Sequence, residues 1–236
     1  MKTAALIVAA GIGVRAGGAV PKQYRRVGGE PVLRKTARTF AGHPDIAAVQ
    51  VVINPEHKGF YEEALSGLDI LPPVKGGMLR QDSVLCGLKA LETDAPDIVL
   101  IHDAARAFVS QRLISRVIKA VAANQSGAVP ALPVADTLKQ EANGAVVKTV
   151  DRAGLWLAQT PQGFPFKDIL QAHAALKSGN FTDDAAVAEA AGLKVVLVEG
   201  EKENIKLTTA EDFKARTADV RTGMGFDVHA FEPGDH

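Results

Sequence analysis

The sequence predicts an α/β fold: a doubly wound, mostly parallel twisted sheet with helices on both faces. Three observations carry this. Short apolar, β-branched runs alternate with stretches of helical periodicity along most of the chain. At 236 residues and 47% hydrophobic content, the chain can bury such a sheet without covalent staples. A glycine-rich segment directly follows the first strand, where open α/β sheets bind ligands.

The elements follow in order. Residues 4–9 read as a buried strand and 31–40 as a helix with proline in its first turn. Residues 48–53 form a β-branched strand, 57–65 a helix and 70–74 a short strand. Over 80–91, Val84, Leu85, Leu88 and Leu91 recur at helical spacing. An apolar strand over 98–101 ends at His102-Asp103, followed by a helix over 111–122 and a strand over 127–132. Residues 136–150 break the rhythm with two strands around Asn143-Gly144, the dipeptide favoured in tight hairpins. This predicts a projecting β-hairpin arm, about 134–152, that either reaches a partner subunit or forms a surface excursion. A strand near Trp156, a helix over 165–176, a helix capped by Thr182-Asp183-Asp184, a strand over 194–198 and a helix over 208–216 complete the unit.

Charge narrows the function. Twenty-seven Lys plus Arg balance 27 Asp plus Glu, which argues against nucleic-acid or membrane partners but leaves room for a local basic pocket. Cys86 is the single cysteine and lies in an apolar pattern, so it reads as a small buried hydrophobe rather than a nucleophile. The apolar run at the N-terminus is too short to span a bilayer and carries no cleavage signal, so a soluble cytoplasmic protein is expected.

The segment Ala9-Ala10-Gly11-Ile12-Gly13-Val14-Arg15-Ala16 places glycines where backbone N–H groups approach phosphate oxygens. It even fits the dinucleotide fingerprint. Two features oppose a dinucleotide. The loop continues through Gly17, Gly18 and Pro21 instead of entering a helix, and it carries two cations, Arg15 and Lys22. A triphosphate needs such fixed cations. No Gly-Lys-Ser/Thr is present, which disfavours a P-loop ATPase. The loop alone leaves a solvated glycine loop as the competing explanation.

The following tetrad, Pro21-Lys22-Gln23-Tyr24, extends the pattern. With Gly76-Gly77-x-x-Arg80-x-Asp82-Ser83-Val84, His102-Asp103-Ala104-Ala105-Arg106, Asp136-Thr137, Thr149-Val150-Asp151-Arg152, Thr160-Pro161-Gln162, Thr182-Asp183-Asp184 and Asn204-Ile205-Lys206, it resembles the 2-C-methyl-D-erythritol 4-phosphate cytidylyltransferases. The resemblance covers most of residues 1–217, in family order. Departures are Ala16 where Met is common, Ala107 where Pro usually follows the Arg, and Ala135 where Arg often precedes Asp-Thr.

The resemblance implies a Rossmann-like nucleotidyltransferase fold and transfer of CMP from CTP to a sugar-alcohol phosphate, with pyrophosphate released. Arg15, Lys22 and Lys206 would screen the meeting of two anions, and Asp103 would hold Mg²⁺ with the CTP phosphates. Ala9, Ala10, Gly11, Gly13, Gly77 and Ser83 would bind the nucleotide. Arg106 and Thr160 would meet the acceptor, and Thr137 and Arg152 would arrive from the arm of a second subunit, giving a homodimer. Plainer readings stand beside these: His102-Asp103 as a strand-end turn, Ser83 as a helix cap near Asp82, Arg152 as a surface cation.

Residues 218–236 fall outside this domain. The run Arg221-x-Gly223-x-Gly225-Phe226-Asp227-Val228-His229 resembles the opening of 2-C-methyl-D-erythritol 2,4-cyclodiphosphate synthase. Asp227 and His229 would be two ligands of a divalent, zinc-type site whose third ligand falls beyond His236, so the tail is expected to open a second, truncated domain of a bifunctional fusion. The rivals are a cytidylyltransferase for another polyol phosphate such as ribitol 5-phosphate, an NAD-dependent oxidoreductase, and a non-catalytic nucleotide-binding module.

Overall fold

In the computed structural model, which describes residues 1–11, 20–176 and 181–217, the first apolar run forms β1 (Thr3–Ala9) at the heart of a sheet. β1 pairs in parallel with β4 (Ile46–Ile53) on one side and β6 (Ile98–Asp103) on the other. β5 (Val74–Lys75) extends the β4 side in parallel. Beyond β6, β11 (Gln162–Pro165) inserts antiparallel between β6 and β7 (Gly127–Pro133); β10 (Trp156–Ala158) pairs antiparallel and β12 (Val195–Glu199) parallel with β7. The chain winds from β1 outward through β4 to β5, then returns to place β6 on the other flank of β1. That reversal opens a crevice at the C-terminal ends of β1 and β6, where Val8 stands level with Asp103.

Period-two alternation divides the core. Ile7, Val51 and Leu100 face the side covered by α1 (Val32–Ala41) and α4 (Gln111–Asn124), where they pack with Leu33, Phe40 and Leu113. Leu6, Val52 and Ile101 face the side of α3 (Arg80–Ala90) and α5 (Phe166–Ala175), with Leu88 and Ile169. Gly87 lets α3 lie close to the sheet: a Cβ there would sit 2.3 Å from Leu6 Cδ1. α2 (Lys58–Leu65), α6 (Asp184–Ala190) and α7 (Ala210–Thr217) complete the α-helices among the described residues.

The strand expected over 70–74 is a correction. Only Val74 and Lys75 pair in the sheet, because Pro72 and Pro73 have no N–H to donate to a ladder. Conversely, β11 goes unpredicted: Gln-Gly-Phe-Pro has no strand alternation, yet a Cβ on Gly163 would meet Val117 at 2.6 Å, so packing rather than pattern selects this segment. A small hairpin, β2 (Arg26–Val27) with β3 (Glu30–Pro31), turns on Gly28 and Gly29, both at positive φ. Cys86 is half-buried rather than fully enclosed.

The hairpin arm is present as expected. β8 (Leu138–Ala142) and β9 (Ala145–Val150) join through Asn143 and Gly144 at φ 53° and 80°, the positive values of a type I′ turn. Among the described residues the arm pairs with no other strand, and Val146 and Val147 are 65% and 58% exposed.

Candidate active site

Two cavities open at the crevice. The first is walled by Ala9, Ala10 and Gly11 after β1, by Lys22 and Gln23, and by the turn from Gly77 to Ser83. Its wall is tightly braced. The buried Gln23 amide donates to Ala9 O at 2.8 Å and Gly11 O at 2.9 Å, which fixes the start of the glycine loop. A Cβ on Gly76 would meet Ala10 Cβ at 2.5 Å, and one on Gly77 would meet Asp82 Cβ at 2.3 Å, so both positions require glycine through close approach. Ser83 Oγ accepts from Gly77 N at 3.2 Å and donates to Leu79 O at 3.1 Å. The exposed N–H of Leu79 is met instead by Asp82 at 3.1 Å. Asp82 is therefore the residue that closes the start of α3, and Ser83 buckles the turn while lining the cavity.

The second cavity is walled by Arg106, Ala158, Thr160, Gln162 and Thr182. Three residues line both: Arg80, Asp103 and Lys206. Lys206 Nζ lies 2.6 Å from Asp103 Oδ2, and Arg80 Nε lies 3.3 Å from Asp103 Oδ1. Lys206 is carried there by its neighbours. Leu207 is fully buried and its N–H donates to Ala105 O at 2.9 Å; buried Asn204 donates to Thr160 O at 2.8 Å. Lys22 Nζ reaches Leu207 O at 3.3 Å, so both lysines border the same opening.

The family profile described as "IspD: 2-C-methyl-D-erythritol 4-phosphate cytidylyltransferase" matches residues 3–222. The chain belongs to the IspD family. A bifunctional enzyme IspD/IspF of Rhodopseudomonas palustris (strain BisA53) is 54% identical over 248 residues, covering 100% of this chain and 62% of the relative. One of Rhodospirillum rubrum is 54% identical over 241 residues, covering 99% and 62%. The chain thus spans 62% of the length of these curated relatives. Among solved structures, the 2-C-methyl-D-erythritol 4-phosphate cytidylyltransferase of Thermus thermophilus matches with a TM-score of 0.75 and 36% identity over 92% of this chain and 98% of that one. A 4-diphosphocytidyl-2C-methyl-D-erythritol synthase of Anaerococcus prevotii matches at 0.78 and 32%, over 91% and 96%.

Within this IspD site, electrostatics is set by burial and by cations. Burial alone would raise the Asp103 pKa, but Arg80 and Lys206 together outweigh it and hold the carboxyl well below the usual range. Its neighbour His102 is fully buried, and burial pushes it from 6.5 to about 4. Asp103 N donates to Thr160 Oγ1 at 3.1 Å, so the Thr160 hydroxyl is free to donate to His102 Nδ1 at 3.0 Å. Nε2–H then donates to Arg106 O at 3.1 Å, which fixes a neutral tautomer. His102-Asp103 is therefore both a locally bonded strand end and the presenter of a charged group.

A pH effect on stability follows. The unfolded chain protonates His102 near 6.5, whereas the folded chain resists until about 4. In that window the unfolded state binds more protons, so stability falls as pH drops from 6.5 to 4, by about 3 kcal/mol from this group. Urea midpoints measured across this window should show that slope, and His102→Gln should flatten it. Equal slopes in both proteins would contradict the assignment.

Other expected residues divide. Thr160 and Arg106 line the second cavity, but the Arg106 guanidinium also donates to Asn204 O at 2.7 Å and Ala158 O at 3.4 Å, bracing the Lys206 segment. Thr137 and Arg152 are exposed and line neither cavity; Arg152 donates to Ala135 O. Gly13, Arg15, Asp227 and His229 lie outside the described residues. Arg80 and Gln23 carry no assigned role from sequence. A signal existed for Arg80: a cation in the first turn of α3 opposes the helix dipole and calls for nearby carboxylates.

Proposed function

We propose that this chain transfers CMP from CTP to 2-C-methyl-D-erythritol 4-phosphate, yielding 4-diphosphocytidyl-2-C-methyl-D-erythritol and pyrophosphate for isoprenoid biosynthesis. The observation that carries it is the shared wall: Arg80, Asp103 and Lys206 belong to a glycine-walled cavity after β1 and to a second polar cavity beside it. Two ligands seated there meet at a cluster of fixed charges, as joining two phosphates requires. A phosphate oxygen of the acceptor attacks the α-phosphorus of CTP; the new O–P bond forms as the bond to pyrophosphate breaks. Lys22 and Lys206 screen the approach of anion to anion and stabilise charge on the five-coordinate phosphorus. Arg15 completes this set in the proposal.

Asp103 supplies the hard oxygen that suits Mg²⁺, and one carboxylate beside substrate phosphates is a sufficient donor set for that ion. When bound, Mg²⁺ would neutralise phosphate charge. Lys206 and Arg80 hold the two oxygens of Asp103. We also infer a homodimer. A two-stranded hairpin with exposed valines is marginal in water, and a partner would both cover it and receive Thr137 and Arg152. The tail, with Asp227 and His229, would open a cyclodiphosphate synthase domain with its own zinc-type ion, in keeping with relatives named IspD/IspF. Among the described residues no helix is long and apolar enough to cross a membrane, and a CTP-dependent reaction fits a cytoplasmic setting.

The test is pyrophosphate release from CTP with Mg²⁺, with methylerythritol phosphate and ribitol 5-phosphate as parallel acceptors. Turnover with the first is expected. Turnover with ribitol 5-phosphate alone would overturn the substrate assignment, and turnover with neither would overturn the activity.

A further inference from the structure

Behind the shared wall lies a carboxylate that the reaction above does not use. Asp184, the first residue of α6, is fully buried, and its Oδ2 accepts from Arg80 Nη2 at 2.7 Å. The same guanidinium turns Nε toward Asp103 Oδ1 at 3.3 Å. The Asp184 backbone is itself fixed: its N–H donates at 3.0 Å to Oε1 of Gln162, whose Nε2 donates at 2.8 Å to Asp183. On the far side, buried His173 brings Nε2 within 3.3 Å of Asp184 Oδ1, a contact not aligned as a hydrogen bond.

Burying a carboxylate and a guanidinium costs desolvation that their attraction often fails to repay, so a buried pair is weak evidence of a stability role. Its geometry says more. Arginine's planar fork links two acceptors at a fixed angle, which lysine cannot do. Asp184 takes Nη2 and shares the positive charge, leaving Nε of that side-on pair for Asp103. If Asp184 lost its charge, Arg80 would be free to close on Asp103 as a bidentate partner, withdrawing that carboxylate from the opening.

We propose that Asp184 is a positioning residue for the transfer step, acting through Arg80 to orient the Asp103 carboxylate at the junction of the two cavities. This rests on the reading of that junction as the place of phosphoryl transfer. The nucleotide wall is held independently, by Gln23 and Ser83. Loss of Asp184 should therefore act on kcat more than on CTP binding.

The experiment is steady-state pyrophosphate release by the full chain, with CTP, Mg²⁺ and methylerythritol phosphate, alongside thermal unfolding. Asp184→Asn is expected to lower kcat about tenfold or more, with KM for CTP changed less than about threefold. Asp184→Glu, which keeps the charge, should recover most of the rate. Arg80→Lys should lose kcat similarly, and adding Asp184→Asn to it should cost less than about twofold more. Arg80→Lys also serves if Asp184→Asn does not fold. Wild-type kcat in Asp184→Asn, equal losses in the Asn and Glu variants that track Tm, or fully multiplicative effects in the double variant would overturn the proposal alone. A wild-type chain with no turnover would overturn the functional reading and this inference with it.

Discussion

Lys206→Ala is expected to lower kcat for pyrophosphate release by about 10²–10³ while leaving the fold intact. Among the described residues Lys206 is the cation nearest to Asp103, at 2.6 Å, and it belongs to both cavities, so in the proposed reaction it is the charge best placed to face both phosphates. Its removal should leave the backbone in place. The segment is anchored by Leu207 in its apolar cluster and by Asn204 on Thr160 O, not by the lysine head. Thermal unfolding within a few degrees of the parent is thus expected beside the loss in rate. A variant that keeps more than about a tenth of the parental kcat would remove Lys206 from the transfer step.

Arg152→Ala should also inactivate, although Arg152 lines neither cavity of its own chain. The sharper result comes from mixing. Lys206→Ala carries an intact arm, and Arg152→Ala carries an intact cavity. In a two-fold dimer whose arms cross, a mixed pair holds one complete site and one doubly damaged site. Random exchange in an equal mixture makes half of the dimers mixed, so recovered activity should reach about a quarter of wild type. Activity equal to the mean of the two parents would mean that each chain completes its own site, or that the arm contributes nothing. Sedimentation of the same samples reports whether dimers form at all.

Much of the fold is legible in the sequence because its strands are two-sided and apolar. The apolar runs of β1, β6 and the second half of β4 are buried on both faces, and such runs are hard to read otherwise. The arm is legible for a local reason, since Asn143-Gly144 accepts the positive φ values of its turn. β11 is not legible. Its four residues become a strand only because α4 and β6 leave a slot that Gly163 fits.

The site divides on the same line. Asp103, Lys22, Gly77 and Ser83 sit where local motifs end strands or open helices, so their placement follows from neighbours in the chain. The link from Arg80 to Asp184 spans 104 positions: the cation at the start of α3 signals a need for carboxylates, but nothing local says which one answers it. The double duty of Arg106, facing the second cavity while tying down the Asn204 carbonyl, also emerges only from three-dimensional packing.

The meeting of Lys22 with the Leu207 carbonyl joins positions 185 apart. On the ribosome, the glycine loop and its lysine emerge early, while Lys206 follows only after the sheet, the arm and α6 have been made. Until then the crevice lacks Lys206, which lines both cavities. In the proposed reaction, activity therefore waits on the last-made segment, and deletions that unseat Leu207 should abolish pyrophosphate release even where most of the sheet survives.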